Sequence, residues 1–249
     1  MISANIAETK FDIVGQQATN ASRTYYEFKT GIIDSLKVSG DLSIFKVKGS
    51  LHFFEGDATF GDGFNGWLEV DIPKTVKITC NLQFGTIEEA TDTFNYWYFD
   101  GMADIPNGVP LFPSLNAYGF GGGAYYHMTR TPPPSIEIAN ANSEDHKNPG
   151  DAPSGIRYIP DKSTLLGFKA SLLFGLQERK TFNADVTLEI SISENTGGID
   201  EFFMYGNARV LQKEIKDTSK AMVKASIEVY YDVTEDIFHA NMDAVLKME

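Results

Sequence analysis

One pattern recurs along this chain of 249 residues: a Lys, a pair of small or β-branched residues, an apolar run, a polar turn, and a returning Phe-Asn or Phe-His. Clear copies begin at Lys48, Lys169 and Lys224 and return at Phe64, Phe182 and Phe238, and a weaker copy runs from Lys77 to Phe94. The apolar residue of the first run and the returning Phe are about 10 to 13 residues apart, whereas a parallel crossover connection alone needs roughly a dozen residues or more. Each copy therefore predicts an antiparallel hairpin.

Strict alternation supports strands in these runs. The segments 67–72 and 185–190 place apolar side chains at every second position, so we expect one face to be buried and the other to be wet. The fold class that follows is all-β, with antiparallel hairpin repeats forming an elongated sheet, a sandwich or an open barrel, and with little helix. Two short segments, Thr86 to Thr91 and Gln212 to Met222, are the exceptions where a turn of helix could form.

A proline-rich stretch interrupts the repeat. Residues 129–164 contain six of the ten prolines around a polar centre, which indicates a long surface excursion. We therefore expect an N-terminal β lobe over residues 1–128, a proline-rich loop or insertion over 129–164, and a C-terminal β lobe over 165–249 that continues the first.

The composition of the chain limits the classes of molecule that it is expected to bind. The formal net charge of -13 should repel phosphate backbones, so nucleic acid is an unexpected partner. Cys80 is the single cysteine, which excludes an internal disulfide. No stretch approaches about 18 uncharged apolar residues, and on that ground we expect no membrane-spanning segment. The start of the chain lacks the pattern of a signal peptide, and the sequence assigns no compartment.

Candidate site residues are few. Trp67, Trp97, Tyr125 and Tyr126 could stack on sugar rings if they were exposed together along one face. Glu55, Asp57 and Asp62 share one turn and could hold a metal ion, although their spacing differs from the common helix-loop-helix calcium pattern. The glycine-rich segment 118–126 looks extended, so it favours close backbone approach in a strand over a phosphate-binding loop.

No polar constellation recurs with the hairpins, and no catalytic residue is predicted. The favoured hypothesis is a non-enzymatic structural or protein-interaction module, as a segment of a larger β-repeat protein or an assembly. Its partners would be other protein chains or flanking β domains, and no cofactor is predicted. Because the end strands of a sheet need to be covered, the sequence leaves the oligomeric state open. The alternatives are a carbohydrate-binding β-sandwich, a glycoside hydrolase with two facing carboxylates, and a carrier of an apolar ligand.

Overall fold

The computed structural model describes residues 2–17, 24–42, 44–89, 92–131, 149–152, 157–194, 197–214 and 217–247. For residues 2–17, 24–35, 42, 212–214 and 217–220 it describes the backbone alone. The strands are β1 (Ile2–Gln17), β2 (Thr24–Leu42), β3 (Phe45–Asp57), β4 (Gly61–Ile72), β5 (Val76–Glu88), β6 (Thr93–Phe112), β7 (Leu115–Tyr126), β8 (Met128–Arg130), β9 (Tyr158–Pro160), β10 (Thr164–Leu176), β11 (Phe182–Ser193), β12 (Ile199–Glu214), β13 (Asp217–Asp232) and β14 (Ile237–Leu246).

Twelve of these strands form one antiparallel sheet in the order β1-β2-β3-β4-β5-β6-β7-β10-β11-β12-β13-β14, and β8 pairs with β9 in a separate two-stranded sheet. The predicted all-β fold is confirmed, and of the three predicted forms it is the elongated sheet. The sheet is not closed into a barrel, because β1 and β14 are its two outer strands. Each strand pairs mainly with its neighbours in sequence, as short turns require.

The recurring pattern corresponds to hairpins. The three clear copies form β3–β4, β10–β11 and β13–β14, and the weaker copy forms β5–β6, so the hairpin prediction is confirmed. The prediction of helical turns is wrong for the described parts of both segments. Thr86 pairs with Asn95, and Gln212 pairs with Ala221, because continuous ladders on both sides outweigh a weak local helix preference.

The proline-rich excursion leaves and re-enters the same sheet. Since β7 pairs directly with β10, the strands before and after the excursion are adjacent. Its described parts, residues 128–131, 149–152 and 157–160, are called the strap below; Pro132, Pro133, Pro134 and Pro153 lie outside the described residues. The buried side chains of Met128 and Tyr158 in the strap belong to one core cluster with Phe60, Tyr96 and Tyr98 of the main sheet and its turns.

The two ends of the sheet differ in charge. One end, the acidic end, contains the connections from β3 to β4, β5 to β6, β11 to β12 and β13 to β14 and both ends of the strap excursion. The other, the lysine end, contains the connections from β2 to β3, β4 to β5, β6 to β7 and β10 to β11. The acidic end carries, in its described part, Glu55, Asp57, Asp62, Glu88, Glu89, Asp92, Asp161, Glu194, Asp200, Glu201, Asp232, Glu235 and Asp236 with Lys162, Arg130 and Arg157. The lysine end carries Lys46, Lys74, Lys77, Arg179, Lys180 and Lys247 with Asp41, Asp71, Asp104 and Glu178.

Strand β7 approaches β6 closely at its glycines. A Cβ added at Gly121 would lie 2.7 Å from the carbonyl oxygen of Gly101 and 2.8 Å from Sδ of Met102, so no side chain fits there without movement. The next residue, Gly122, points to the opposite face, where the nearest atom to an added Cβ is the Lys169 carbonyl oxygen at 3.4 Å. The close approach that the glycine-rich segment predicts is therefore present.

We expect Gly121→Ala to lower the free energy of unfolding by about 1–3 kcal/mol, as overpacking does. The control Gly122→Ala should be neutral or should stabilise by up to about 1 kcal/mol, because alanine loses less backbone entropy than glycine. Urea unfolding followed by tryptophan fluorescence measures both. Equal effects of the two substitutions would contradict the described register of β6 and β7.

Candidate functional site

Strand β11 shows an inverted pattern of burial. The polar side chains of Thr187, Glu189 and Ser191 are 7%, 1% and 9% exposed, whereas Leu188 and Ile190 between them are 41% and 39% exposed. The alternation predicted from sequence is confirmed, but the expectation that its apolar face is buried is wrong for this chain alone. The strap covers the polar side of the central strands, so the polar side chains are the enclosed ones.

The face to which Leu188 and Ile190 belong is apolar on ten strands. The apolar face is formed by alternate residues in the runs 47–53, 64–72, 76–84, 97–103, 120–126, 166–174, 184–192, 202–210, 223–231 and 238–246. Every residue at these positions is aliphatic, aromatic, Met, Cys, Ala or Gly. Within these ten runs no position on this face is charged, and carboxylates of the same parity, such as Asp62 and Glu88, lie beyond the ends of the runs.

The apolar face is also large. Most of its runs are nine residues long, and the eight steps between their end residues make the apolar band about 26 Å along the strands at ~3.3 Å per residue. Ten strands about 4.8 Å apart give a flat area of roughly 1,200 Å². The largest apolar patch of a typical soluble monomer is only about 300–600 Å². The apolar face of this chain therefore exceeds that range.

One border of the band is aromatic. Phe64 pairs with Phe53 on one side and Phe84 on the other, and Trp97 pairs with Phe84 and Tyr126. The rings touch: the centroids of Phe64 and Phe84 are 5.3 Å apart, and those of Trp97 and Tyr126 are 6.4 Å apart. The aromatic row continues beyond β10 and β11 as Phe202, Tyr231 and Phe238, which are paired across β12, β13 and β14. The row lies at the acidic end.

The opposite face is polar, and its hydrogen bonds hold the strap in place. Tyr98 donates a hydrogen bond to the Asp151 carbonyl oxygen at 2.6 Å, and the Asn81 side-chain amide donates to the same oxygen at 2.9 Å. The Gly150 backbone N–H donates to Oε1 of Gln83 at 2.6 Å. Three side chains of β5 and β6 thereby bind the backbone of residues 150–151. These hydrogen bonds hold residues 150–151, and the buried side chains of Met128 and Tyr158 add apolar contacts between the strap and the sheet.

Buried charges lie beneath the strap. Lys169 of β10 forms an ion pair with Asp100 of β6, and the side chains are 2% and 1% exposed. Glu189 accepts hydrogen bonds from the hydroxyls of Tyr125, at 2.7 Å, and Tyr158, at 3.1 Å. Burial raises the pKa of both tyrosines far above its ordinary value, and the Glu189 charge adds to the shift. Their hydroxyls therefore stay protonated and act as donors.

Arg130 connects the strap to the C-terminal part of the sheet. Its guanidinium forms an ion pair with Glu201 and lies 4.0 Å from Oε1 of Glu189. It also stacks over the Phe203 ring, 3.7 Å from the centroid. Burial raises the pKa of Glu201 to about 7, although Arg130 opposes that shift. Arg130 thus neutralises carboxylates that burial would otherwise disfavour.

The four aromatic residues predicted to bind sugar do not share one face. Trp97 and Tyr126 belong to the apolar face, while Trp67 and Tyr125 point to the polar face, and Tyr125 is buried beneath the strap at 2% exposure. Only the Trp97–Tyr126 pair is a common surface of stacked rings, with an interplanar angle of 17°.

Two of the three carboxylates predicted as metal ligands, Asp57 and Asp62, accept backbone hydrogen bonds at the β3–β4 turn. Asp57 Oδ1 accepts hydrogen bonds from the backbone N–H groups of Thr59 and Phe60, and Asp62 Oδ1 accepts one from that of Gly56. Within the described residues, no group of three or more His, Cys, Asp or Glu side chains is placed to hold a metal ion. The same residues include no helix long and apolar enough to cross a membrane.

Sequence reasoning missed the two features that organise this surface. The strap anchors are far apart in sequence, and Arg130 gives no local signal of its pairing with Glu201. The apolar face had a signal, since alternate apolar positions recur from β3 to β14, but periodicity alone does not tell which face a protein encloses. Comparisons with protein-family models, curated proteins and solved structures find no match to this chain.

The raised pKa of Glu201 makes stability depend on pH. The fold favours the protonated form, so the stabilising contribution is complete below about pH 4.5, the ordinary value, and is lost as the pH rises through about 7. We expect Glu201→Gln to remove this part of the decline in unfolding free energy, measured by urea unfolding between about pH 5 and pH 8. The exposed control Glu235→Gln should leave the decline intact. An unchanged pH profile in Glu201→Gln would contradict the assignment.

Proposed function

We propose that this protein is a membrane-embedded β-sheet, with its apolar face against lipid hydrocarbon and its polar face against water. The observation that carries the proposal is the uninterrupted, charge-free apolar band on ten strands. Its function is structural, as the hairpin repeat predicts, but its principal partner is lipid. In this proposal, the protein-interaction role of the first hypothesis applies only to the outer strands of the sheet.

The height of the band supports lipid as the partner. A band of about 26 Å is close to the apolar band of about 25 Å on known membrane-embedded strands and to the hydrocarbon thickness of about 30 Å. A protein partner imposes no common height on every strand. Here the runs of β4, β5, β10, β11, β12, β13 and β14 are all nine residues long, and those of β3, β6 and β7 are seven residues long.

The aromatic row supports the same partner. Tyr and Trp concentrate where hydrocarbon meets headgroups because their rings are apolar and their O–H or N–H groups bond to water. Trp97, Tyr126 and Tyr231 are on the border of the band, whereas the interior contains aliphatic residues and Phe. The charged ends of the strands lie beyond both borders.

The membrane proposal also answers the expectation of no membrane-spanning segment. That expectation followed from the lack of a long apolar stretch, which is the requirement for a helix. A strand needs apolar residues only at alternate positions, and it crosses in about 9–11 residues. The lengths of the strands, 12 or 13 residues in β3, β4, β5, β7, β10 and β11, meet that requirement.

The two outer strands of the sheet indicate what kind of protein partner the proposal requires. Backbone groups in hydrocarbon need hydrogen bonds, so the free sides of β1 and β14 must pair when the sheet is embedded. We infer that further β strands, from flanking sequence or from another chain, complete these two edges. This preserves the predicted partnership with other protein chains or β domains.

The two tryptophans provide a direct test, since Trp97 is on the apolar face and Trp67 is on the polar face. The chain contains only these two. Trp67→Phe leaves Trp97 as the reporter, and Trp97→Phe leaves Trp67. In phosphatidylcholine vesicles brominated in the upper part of the acyl chains, we expect strong quenching of Trp97 and little quenching of Trp67, relative to unbrominated vesicles.

The matched pair controls for adsorption, which would leave both reporters unquenched. Failure of Trp97 quenching with a protein dispersed in buffer would overturn the lipid proposal. If that dispersed protein were a dimer with a shielded, blue-shifted Trp97, a second protein sheet would be the partner of the apolar face. Equal quenching of the two tryptophans would contradict the assignment of faces.

A further inference from the structure

The two ends of the sheet differ in what they would require to cross a bilayer. The acidic end carries its carboxylates on five connections, and Lys162 is the one lysine in the described part of that end. Every ionised side chain at either end resists entry into hydrocarbon. Anionic headgroups repel carboxylates and attract lysines, so they add to the cost at the acidic end alone. The lysine end has more cations than carboxylates. Transfer of the acidic end across a membrane is therefore the more costly path.

Exposed apolar side chains at the lysine end point to the same difference. Strand β6 continues past its last partner on β5, Asp104 with Lys77, and ends at Phe112. Leu111 and Phe112 near this hairpin tip are 42% and 69% exposed, and Ile44 in the β2–β3 turn is 73% exposed. A tip of this kind enters hydrocarbon readily.

The strap, which covers part of the polar face, adds bulk at the acidic end. Its buried ion pairs and its backbone hydrogen bonds to Tyr98 and Gln83 hold it to the polar face. We therefore expect the strap to stay attached to the sheet when the sheet enters a membrane. The excursion from residue 127 to residue 163 is also the longest connection in the sheet. Charge, length and attachment thus coincide at one end.

Resting on the proposed function, we propose that the sheet enters a bilayer in one orientation, with the lysine end crossing and the acidic end staying on the side of entry. The surface of the lysine end then lies against the headgroups of the far leaflet. Anionic headgroups fit this surface, because Lys74, Lys77 and Lys180 are exposed there.

Labelling from outside tests the orientation. In a Cys80→Ser background, Thr75→Cys marks the lysine end and Glu235→Cys marks the acidic end; both positions are exposed. Each protein is diluted from urea into preformed phosphatidylcholine vesicles containing phosphatidylglycerol, and treated with a membrane-impermeant maleimide. We expect Glu235→Cys to react fully, and Thr75→Cys to react only after detergent is added.

The outcomes separate the two proposals. Vesicles that quench Trp97 but label both ends equally would overturn the fixed orientation and leave the lipid-facing sheet intact. Protection of Glu235→Cys with labelling of Thr75→Cys would also overturn it, by reversing the order. Absence of Trp97 quenching would overturn the membrane proposal itself, and the orientation with it.

Entry rates test the part played by the apolar tip. Phe112→Asn should slow the growth of Trp97 quenching by several fold, because the leading hairpin loses its apolar end. The matched control is Val233→Asn in the β13–β14 turn, an apolar residue 42% exposed at the acidic end. Its rate should equal that of the parent protein. Equal slowing by both substitutions would contradict entry by the lysine end.

Discussion

The removal of one apolar face from water is the constraint on which the rest of this structure depends. Every described strand from β3 to β14, apart from β8 and β9, contributes only apolar residues or glycine to that face. At about 25 cal/mol per Å², a face of roughly 1,200 Å² corresponds to about 30 kcal/mol of transfer free energy. No contact within the described chain supplies it. In our proposal, a lipid hydrocarbon phase would supply it over all ten strands at once.

The polar face contains charged groups that are costly to bury, and it satisfies them with partners. Asp100, Glu189 and Lys169 would be costly beneath the strap if they were isolated, but each is paired or hydrogen bonded. The strap closes over these groups through its own backbone and through Arg130. Enclosed polar groups and exposed apolar groups are therefore two consequences of the same alternation. The sheet encloses the side that a soluble β protein would leave wet.

Sequence predicted the hairpins well because their signals are local. The returning Phe and the period-two runs lie within a single hairpin, and register follows from the turn. The helical expectation at Gln212 to Met222 failed because its charged residues gave no strand signal, while the ladder between β12 and β13 depends on pairing across the turn. The Lys169–Asp100 pair was beyond reach, since the two residues meet only when β7 lies between their strands.

The candidate site was predicted only in part. Trp97 and Tyr126 do lie together, but Trp67 and Tyr125 point the other way, because residues of opposite parity in paired strands occupy opposite faces. The side that a strand turns to the interior depends on distant coverage, here the strap. Periodicity gives the two sets of residues and leaves their environments open.

The environment of the apolar face can be measured directly along β11. A nitroxide is placed at each position from 184 to 192 in a Cys80→Ser background, and its collisions with oxygen and with a water-soluble nickel complex are recorded in vesicles. The lipid-facing account predicts a period of two, with high oxygen and low nickel access at Val186, Leu188 and Ile190. Low access to both reagents at these three positions would contradict it and would indicate a covering protein surface.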